Sequence, residues 1–231
     1  MERTVLPELL DVLPPQEKTA LRSRRDLRRI NACMRHPRLM ARILEKNLPG
    51  PAPRRVVELG AGDGHFLLSV ARRLNGPWRG AQATLVDRLD ALDPRTRGHF
   101  DRLGWRVRTE VADAFDWLRQ SPPDQARVVV SNLFFHQFDS EQLAGLLRLA
   151  ADSSRLVVAL EPRRSWLSRL CGRLLWVIGC SPVTCHDGRI SIHAGFEGGE
   201  ISALWPDKTN WELVERPAGL FSHLFIARRK D

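Results

Sequence analysis

The chain opens with helical spacing. Leu27, Ile30 and Met34 recur at intervals of three and four, while Arg22, Arg25 and Arg29 fall on another face, which is the pattern of an amphipathic helix. Pro14-Pro15 starts this helix, which runs to about Cys33, since proline suits a first turn. His36-Pro37 starts a second helix through Leu39, Ile43 and Leu44, and Asn47-Leu48-Pro49-Gly50 stops it. From Arg54 the pattern changes. Short apolar runs at Arg54–Gly60, Ala83–Arg88, Trp105–Val111, Arg127–Asn132 and Leu156–Glu161 predict strands. Helical stretches alternate with them at Gly64–Leu74, Pro94–Leu103, Ala114–Gln120, Ser140–Ala151 and Ser165–Gly179. This alternation predicts an α/β fold, a mostly parallel sheet of about seven strands with helices on both faces. Trp211–Arg216 and Phe221–Arg228, joined by Pro217-Ala218-Gly219, close it as an antiparallel hairpin. The organisation expected is a helical segment over residues 1–53 and an α/β core over 54–231.

Composition adds little. The 231 residues are 43% hydrophobic and 27% charged, ordinary for a soluble globular chain. A net charge of +9, almost all of it from arginine, invites a nucleic-acid partner. Yet no aromatic residues interleave the Arg22–Arg29 cluster and no nucleic-acid motif is present. A solvated helix face explains the arginines as well, and nucleic acid is not favoured. Cys33, Cys171, Cys180 and Cys185 are scattered without a CxxC pair. They read as free thiols, and no metal is expected even with His186 near Cys180 and Cys185. Met1–Leu10 carries charges at Glu2, Arg3 and Glu8, unlike a signal peptide, and no apolar run would span a bilayer. A cytoplasmic location follows as the expectation.

The chemistry concentrates at residues 56–66, VVELGAGDGHF. An apolar strand ends in Glu58, then Gly60, Gly62 and Gly64 occupy alternate positions before a helix. Glycine is needed where φ turns positive or where another molecule approaches the backbone. A dinucleotide fingerprint would be G-x-G-x-x-G, but its third glycine position here is His65. Glu58 is awkward beside a pyrophosphate and useful beside a positive charge. Glycine amides at a helix start still receive a carboxylate, so the loop suits a zwitterionic amino-acid moiety.

With these residues the chain resembles the class I S-adenosylmethionine (SAM) methyltransferases, in their small-molecule branch that acts on phenolic and polyketide-type acceptors. Glu58–Gly64 resembles the first motif, Thr84-Leu85-Val86-Asp87 the second, and Val111-Ala112-Asp113-Ala114 the third. Ser131–Phe138, SNLFFHQF, resembles the fourth, with Gln137 where that family has a second histidine. The resemblance implies a Rossmann-like fold, SAM as cofactor, and a substrate cover built from the N-terminal helices. It places Glu58, Gly60, Ala61, Gly62 and Gly64 at the amino-acid end of the cofactor. Asp87 and Arg88 then stand at the ribose, Asp113 and Ala114 at the adenine, and Asn132 and Leu133 near the methyl group. The partner implied is a small, hydrophobic or phenolic acceptor, with oxygen the favoured nucleophile. RNA or protein methylation and a non-catalytic SAM-binding module are the alternatives.

An oxygen nucleophile must lose a proton, and histidine is the natural base near neutral pH. His136, after the fourth strand, is the first candidate, either as base or as a packing residue. His186 beside Asp187, and His193 in a short extended piece with Ile190 and Ile192, are further candidates. Trp166, Leu170, Leu174 and Val177 form one stripe of a helix expected to cover the sheet. The same stripe also fits a lid over an apolar substrate or a peripheral membrane contact.

Overall fold

Adjacent residues of the central strands serve opposite faces of one sheet. Val56, Val128, Val130 and Val158 pack into a core with helices on one side. Val57, Leu59, Val129 and Val157 enter a second core on the other. Successive side chains of a strand point to opposite faces, so a strand buried twice must be apolar throughout. The computed structural model describes residues 3–48, 54–74, 76–92, 94–124 and 127–230.

Seven strands form the sheet: β1 (Arg55–Leu59), β2 (Gln82–Asp87), β3 (Arg106–Val111), β4 (Arg127–Asn132), β5 (Leu156–Pro162), β6 (Trp211–Pro217) and β7 (Ser222–Arg229). Their order is β3-β2-β1-β4-β5-β7-β6. The first five are parallel, and β7 inserts antiparallel between β5 and β6. Strand order reverses between β1 and β4, and the carboxyl ends of those strands are where such sheets bind ligands.

Helices α1 (Lys18–Cys33) and α2 (His36–Asn47) precede the sheet. Within it run α3 (His65–Ala71), α4 (Pro94–Arg102), α5 (Ala114–Gln120) and α6 (Ser140–Ser153). Asp113 caps α5 by accepting from Phe115 N, and Asp139 with Gln142 forms a capping box on α6. Met40, Ile43 and Leu44 of α2 share a core with Val56 and Phe66. The boundary read at residue 53, and Pro49-Gly50 as the stop of α2, lie outside the described residues. No helix among the described residues is long and apolar enough to cross a membrane.

Three readings require correction. The first helix begins at Lys18 rather than at Pro14-Pro15, and residues 3–12 form a strap whose one regular piece is the 3-10 turn Leu9–Asp11. The helix expected over Ser165–Gly179 is broken into α7 (Trp166–Arg173) and a 3-10 turn, Leu175–Ile178, ended by Gly179 at φ 79°. Its apolar stripe does not cover the sheet: Trp166 is 71% and Val177 62% exposed. The piece around Ile190, Ile192 and His193 is helical, not extended, and belongs to α8 (Pro182–Ala194). Ser181 caps α8 and Pro182 occupies its first turn, which outweighs the strand preference of the two isoleucines. A Cβ on Gly172 would lie 2.5 Å from Ile192 Cδ1, so α7 and α8 meet where a glycine lets them. A short helix, α9 (Glu200–Leu204), leads into the hairpin.

Candidate active site

A cavity of about 1080 Å³ opens beyond the carboxyl ends of β1 and β4, bounded by Glu58, Gly62, Asp87, Asn132, α1 and the strap. Strand β1 ends in Glu58-Leu59, and pleating sends Leu59 into one core and Glu58 to the opposite side. Glu58 is 2% exposed, and its Oε2 has no hydrogen-bond partner among the described residues. Burial, reinforced by Asp63 and Asp87, holds its carboxyl well above the usual range. A buried carboxyl with an unpartnered oxygen at a cavity wall suits a cation, which would favour its ionised form.

The glycine loop divides by function. Gly60 (φ 69°) and Gly62 (φ 52°) both border the cavity. A Cβ on Gly60 would lie 2.4 Å from the Phe134 ring, whereas one on Gly62 meets open space. Gly64 lies outside the cavity lining, and its Cβ would strike Leu92 and Leu85. It serves packing of α3 on the sheet, in place of the ligand contact expected from its motif. Ala61, Arg88, Asp113, Ala114 and Leu133 also border the cavity.

Asp87 closes β2 and holds the loop. Its two carboxylate oxygens accept from Gly62 N at 2.8 Å and Leu89 N at 2.9 Å. Asn132 bridges to the N-terminal helices: its Nδ2 donates to Asn31 Oδ1 at 3.0 Å, and its Oδ1 lies 2.7 Å from His36 Nδ1. His36 is buried against Ser222 Oγ, and burial lowers its pKa to about 4. Arg28 of α1 binds Asp63 of the loop, with Nε at 2.9 Å. Thus α1 is fastened over the glycine loop from two points. Leu133 takes φ 56°, and its N–H donates to Leu160 O. That left-handed turn aims Phe134 at Gly60, where it packs edge-on against Phe138.

The structure does not bring His136 to the cavity. Its ring is 2% exposed, with Nδ1 2.8 Å from Glu161 Oε2 and Nε2 3.1 Å from Glu8 Oε1. Burial opposes its charged form, but hydrogen bonds to Glu161 and Glu8 prevail and raise its pKa to about 10. An imidazolium so held has no lone pair for a substrate proton. The reason is tertiary: Glu161, fully buried at the end of β5, also accepts from Phe134 N and Phe135 N. His186 and His193 lie on α8, likewise outside the cavity lining. His186 Nδ1 does face the neighbouring Asp187 at 3.0 Å, but Asp187 spends both oxygens on the strap amides of Leu9 and Leu10.

The strap supplies what sequence reading missed. Glu8 and Asp11 both border the cavity, and Asp11 Oδ2 accepts from Gln137 Nε2 at 3.1 Å. Burial, then the neighbouring Glu8, raises the Asp11 carboxyl to about 6, the range of a base working near neutrality. Nothing in the spacing of residues 3–12 marks either acid. Arg3 anchors the strap, donating to Ala194 O at 2.8 Å with its guanidinium 4.5 Å from the Phe196 ring centre.

Residues 27–193 match the family described as a methyltransferase domain. No curated protein matches the chain. Among solved structures, the plantazolicin methyltransferase BpumL in complex with SAH is similar, with TM-score 0.61 and 11% identity over 93% of this chain and 92% of that one. An O-methyltransferase family protein from Burkholderia thailandensis gives TM-score 0.59 and 18% identity over 94% of this chain and 62% of its own. The mitomycin 7-O-methyltransferase MmcR gives 0.56 and 16% over 94% and 59%. The chain therefore spans about three fifths of the length of the last two. At these identities the likeness is one of fold.

Proposed function

The chain belongs to the methyltransferase domain family, and from that membership we propose that it methylates an oxygen of a small, apolar or phenolic acceptor using SAM. One observation carries the cofactor reading: the unpartnered oxygen of buried Glu58 on the wall of a glycine-lined cavity. The amine of an amino-acid moiety satisfies that oxygen and favours its ionised form. Gly60–Gly62 offer bare backbone beside it. Asp87, held by two backbone donors, keeps lone pairs for ribose hydroxyls. When bound, the cofactor supplies a methyl group on a positively charged sulfur.

The rest falls to this chain's own groups. A volume of about 1080 Å³ exceeds the roughly 300–1,000 Å³ of single-ligand sites, leaving room for an acceptor beside the cofactor. Leu6, Leu10, Leu27 and the Phe134–Phe138 pair give that room an apolar wall. Residues 3–48 act as its cover, with α1 fastened by Arg28 to Asp63, which excludes water from the reacting atoms. Asp11 takes the proton of the acceptor hydroxyl, and Gln137 orients it. Incubating the protein with labelled SAM and a panel of phenols, resorcinols, amines and tRNA tests the proposal. Label is expected on the phenolic acceptors, and label found on tRNA or amines alone would overturn it.

A further inference from the structure

Two tryptophans stand out of the surface. Trp166 opens α7 and is 71% exposed; Trp176, in the 3-10 turn after it, is 67% exposed. Leu170, Leu174, Val177 and Ile178 lie exposed between and beside them. A folded chain seldom leaves so many large apolar side chains together in water without a use for them. The stripe is also amphipathic in its setting. Arg29 Nη2 donates to Ile178 O at 2.9 Å, which brings the outer side of α1 alongside the turn. That side carries Arg22, Arg25 and Arg29, all exposed, at helical spacings of three and four.

We infer that this face, α7 with its following turn and the arginine side of α1, docks the protein on an anionic lipid surface. Charge supports that choice of occupant. No aspartate or glutamate occurs between Glu161 and Asp187, a stretch holding Arg163, Arg169 and Arg173 besides Arg164, which is buried and paired with Glu200. Asp187 turns its carboxylate inward to Leu9 and Leu10. Asp26, the one acid of α1, is buried against Ser181 N and Thr184. The border that α1 and residues 162–186 give the apolar patch is therefore positive in its exposed side chains, with Arg29 paired at 3.5 Å to the buried Asp26. Facing a second copy across a two-fold axis, that border would oppose its own charge. Anionic headgroups neutralise it, while tryptophan suits the boundary between headgroup and acyl chain. The docking face lies on the cover, since α1 also borders the cavity through Leu27, Arg28 and Asn31.

The test floats the full chain with vesicles of phosphatidylcholine alone, and of phosphatidylcholine mixed with phosphatidylglycerol. The parent should float with the mixed vesicles and not with the neutral ones. Trp166→Ser combined with Trp176→Ser should weaken binding by at least about tenfold. Arg22→Gln with Arg25→Gln should weaken it roughly twentyfold at low salt. Both variants should keep the parent's affinity for SAM, which separates this inference from the proposed activity. A parent that ignores mixed vesicles, or a tryptophan variant that binds them unchanged, overturns the inference. So does a dimer that the tryptophan variant dissociates in the absence of vesicle binding.

Discussion

Replacing Glu58 by Gln keeps the shape of the side chain and removes its capacity for charge. If the carboxylate faces the cofactor's amine, Glu58→Gln loses one hydrogen bond to a charged group, about 1.5–3 kcal/mol. Calorimetry should then show SAM binding weakened about tenfold to a hundredfold with the fold intact. Asp11 carries a separate expectation. Asp11→Asn should lower turnover by about 10²–10⁴-fold while SAM affinity holds. The parent's rate should rise with pH through about 6, where Asp11 loses its proton, and the variant's should not. A full rate profile of both proteins checks this. The two residues also differ in how far sequence betrays them. Glu58 sits two residues before Gly60 on an unmistakable strand, so its place at the cavity was readable. Asp11 reaches the cavity only because Asp187, His136 and Arg3 pin the strap there, a set of contacts spread over nearly the whole chain.

At the scale of elements, the glycine loop and the strap behave differently. A Cβ on Gly60 strains a positive φ and drives into Phe134; at Gly62 the strain stands alone, about 1–2 kcal/mol. Thermal melts should therefore place Gly60→Ala well below Gly62→Ala, with the Gly62 variant losing chiefly cofactor affinity. The strap is keyed by His136. His136→Ala leaves Glu161 and Glu8 without their shared partner, and breaking such a buried pair costs about 3–5 kcal/mol. The folded pKa of His136, about 10, lies above its ordinary 6.5. Its contribution is thus complete below about 6.5 and vanishes as pH rises through about 10. Glu8 is shifted the other way: burial would raise it, but its hydrogen bond from His136 lowers it. That contribution is present above the ordinary 4.5 and is lost in acid. Denaturant melts across this range should show the parent's advantage over His136→Ala shrinking toward pH 10. Strands and most helices were legible because burial on two faces leaves a local trace. The break after Arg173 and the place of His136 were not, since each meets distant partners, Ile192 and Glu161; α8 does carry local marks in Ser181 and Pro182, which the alternating isoleucines masked.

For the molecule as a whole, the parallel sheet gathers Glu58, Asp87, Asp113 and Asn132 from four strand ends into one cavity. That explains how motifs scattered over 75 positions, from 58 to 132, could be read as one site. The half of the cavity away from the sheet is different, because the strap and α1 close it from outside. The raised pKa of buried Glu58 then has a thermodynamic consequence for the proposed binding reaction. Burial pushes this carboxyl toward its protonated form in the free protein, so if it meets the cofactor's ammonium ionised, binding releases a proton. Binding heats measured in buffers of different ionisation enthalpy should differ in proportion to those enthalpies, with a slope approaching one proton per site. Affinity should correspondingly climb about tenfold for each unit of pH while the free acid stays protonated. In Glu58→Gln the buffer ceases to matter.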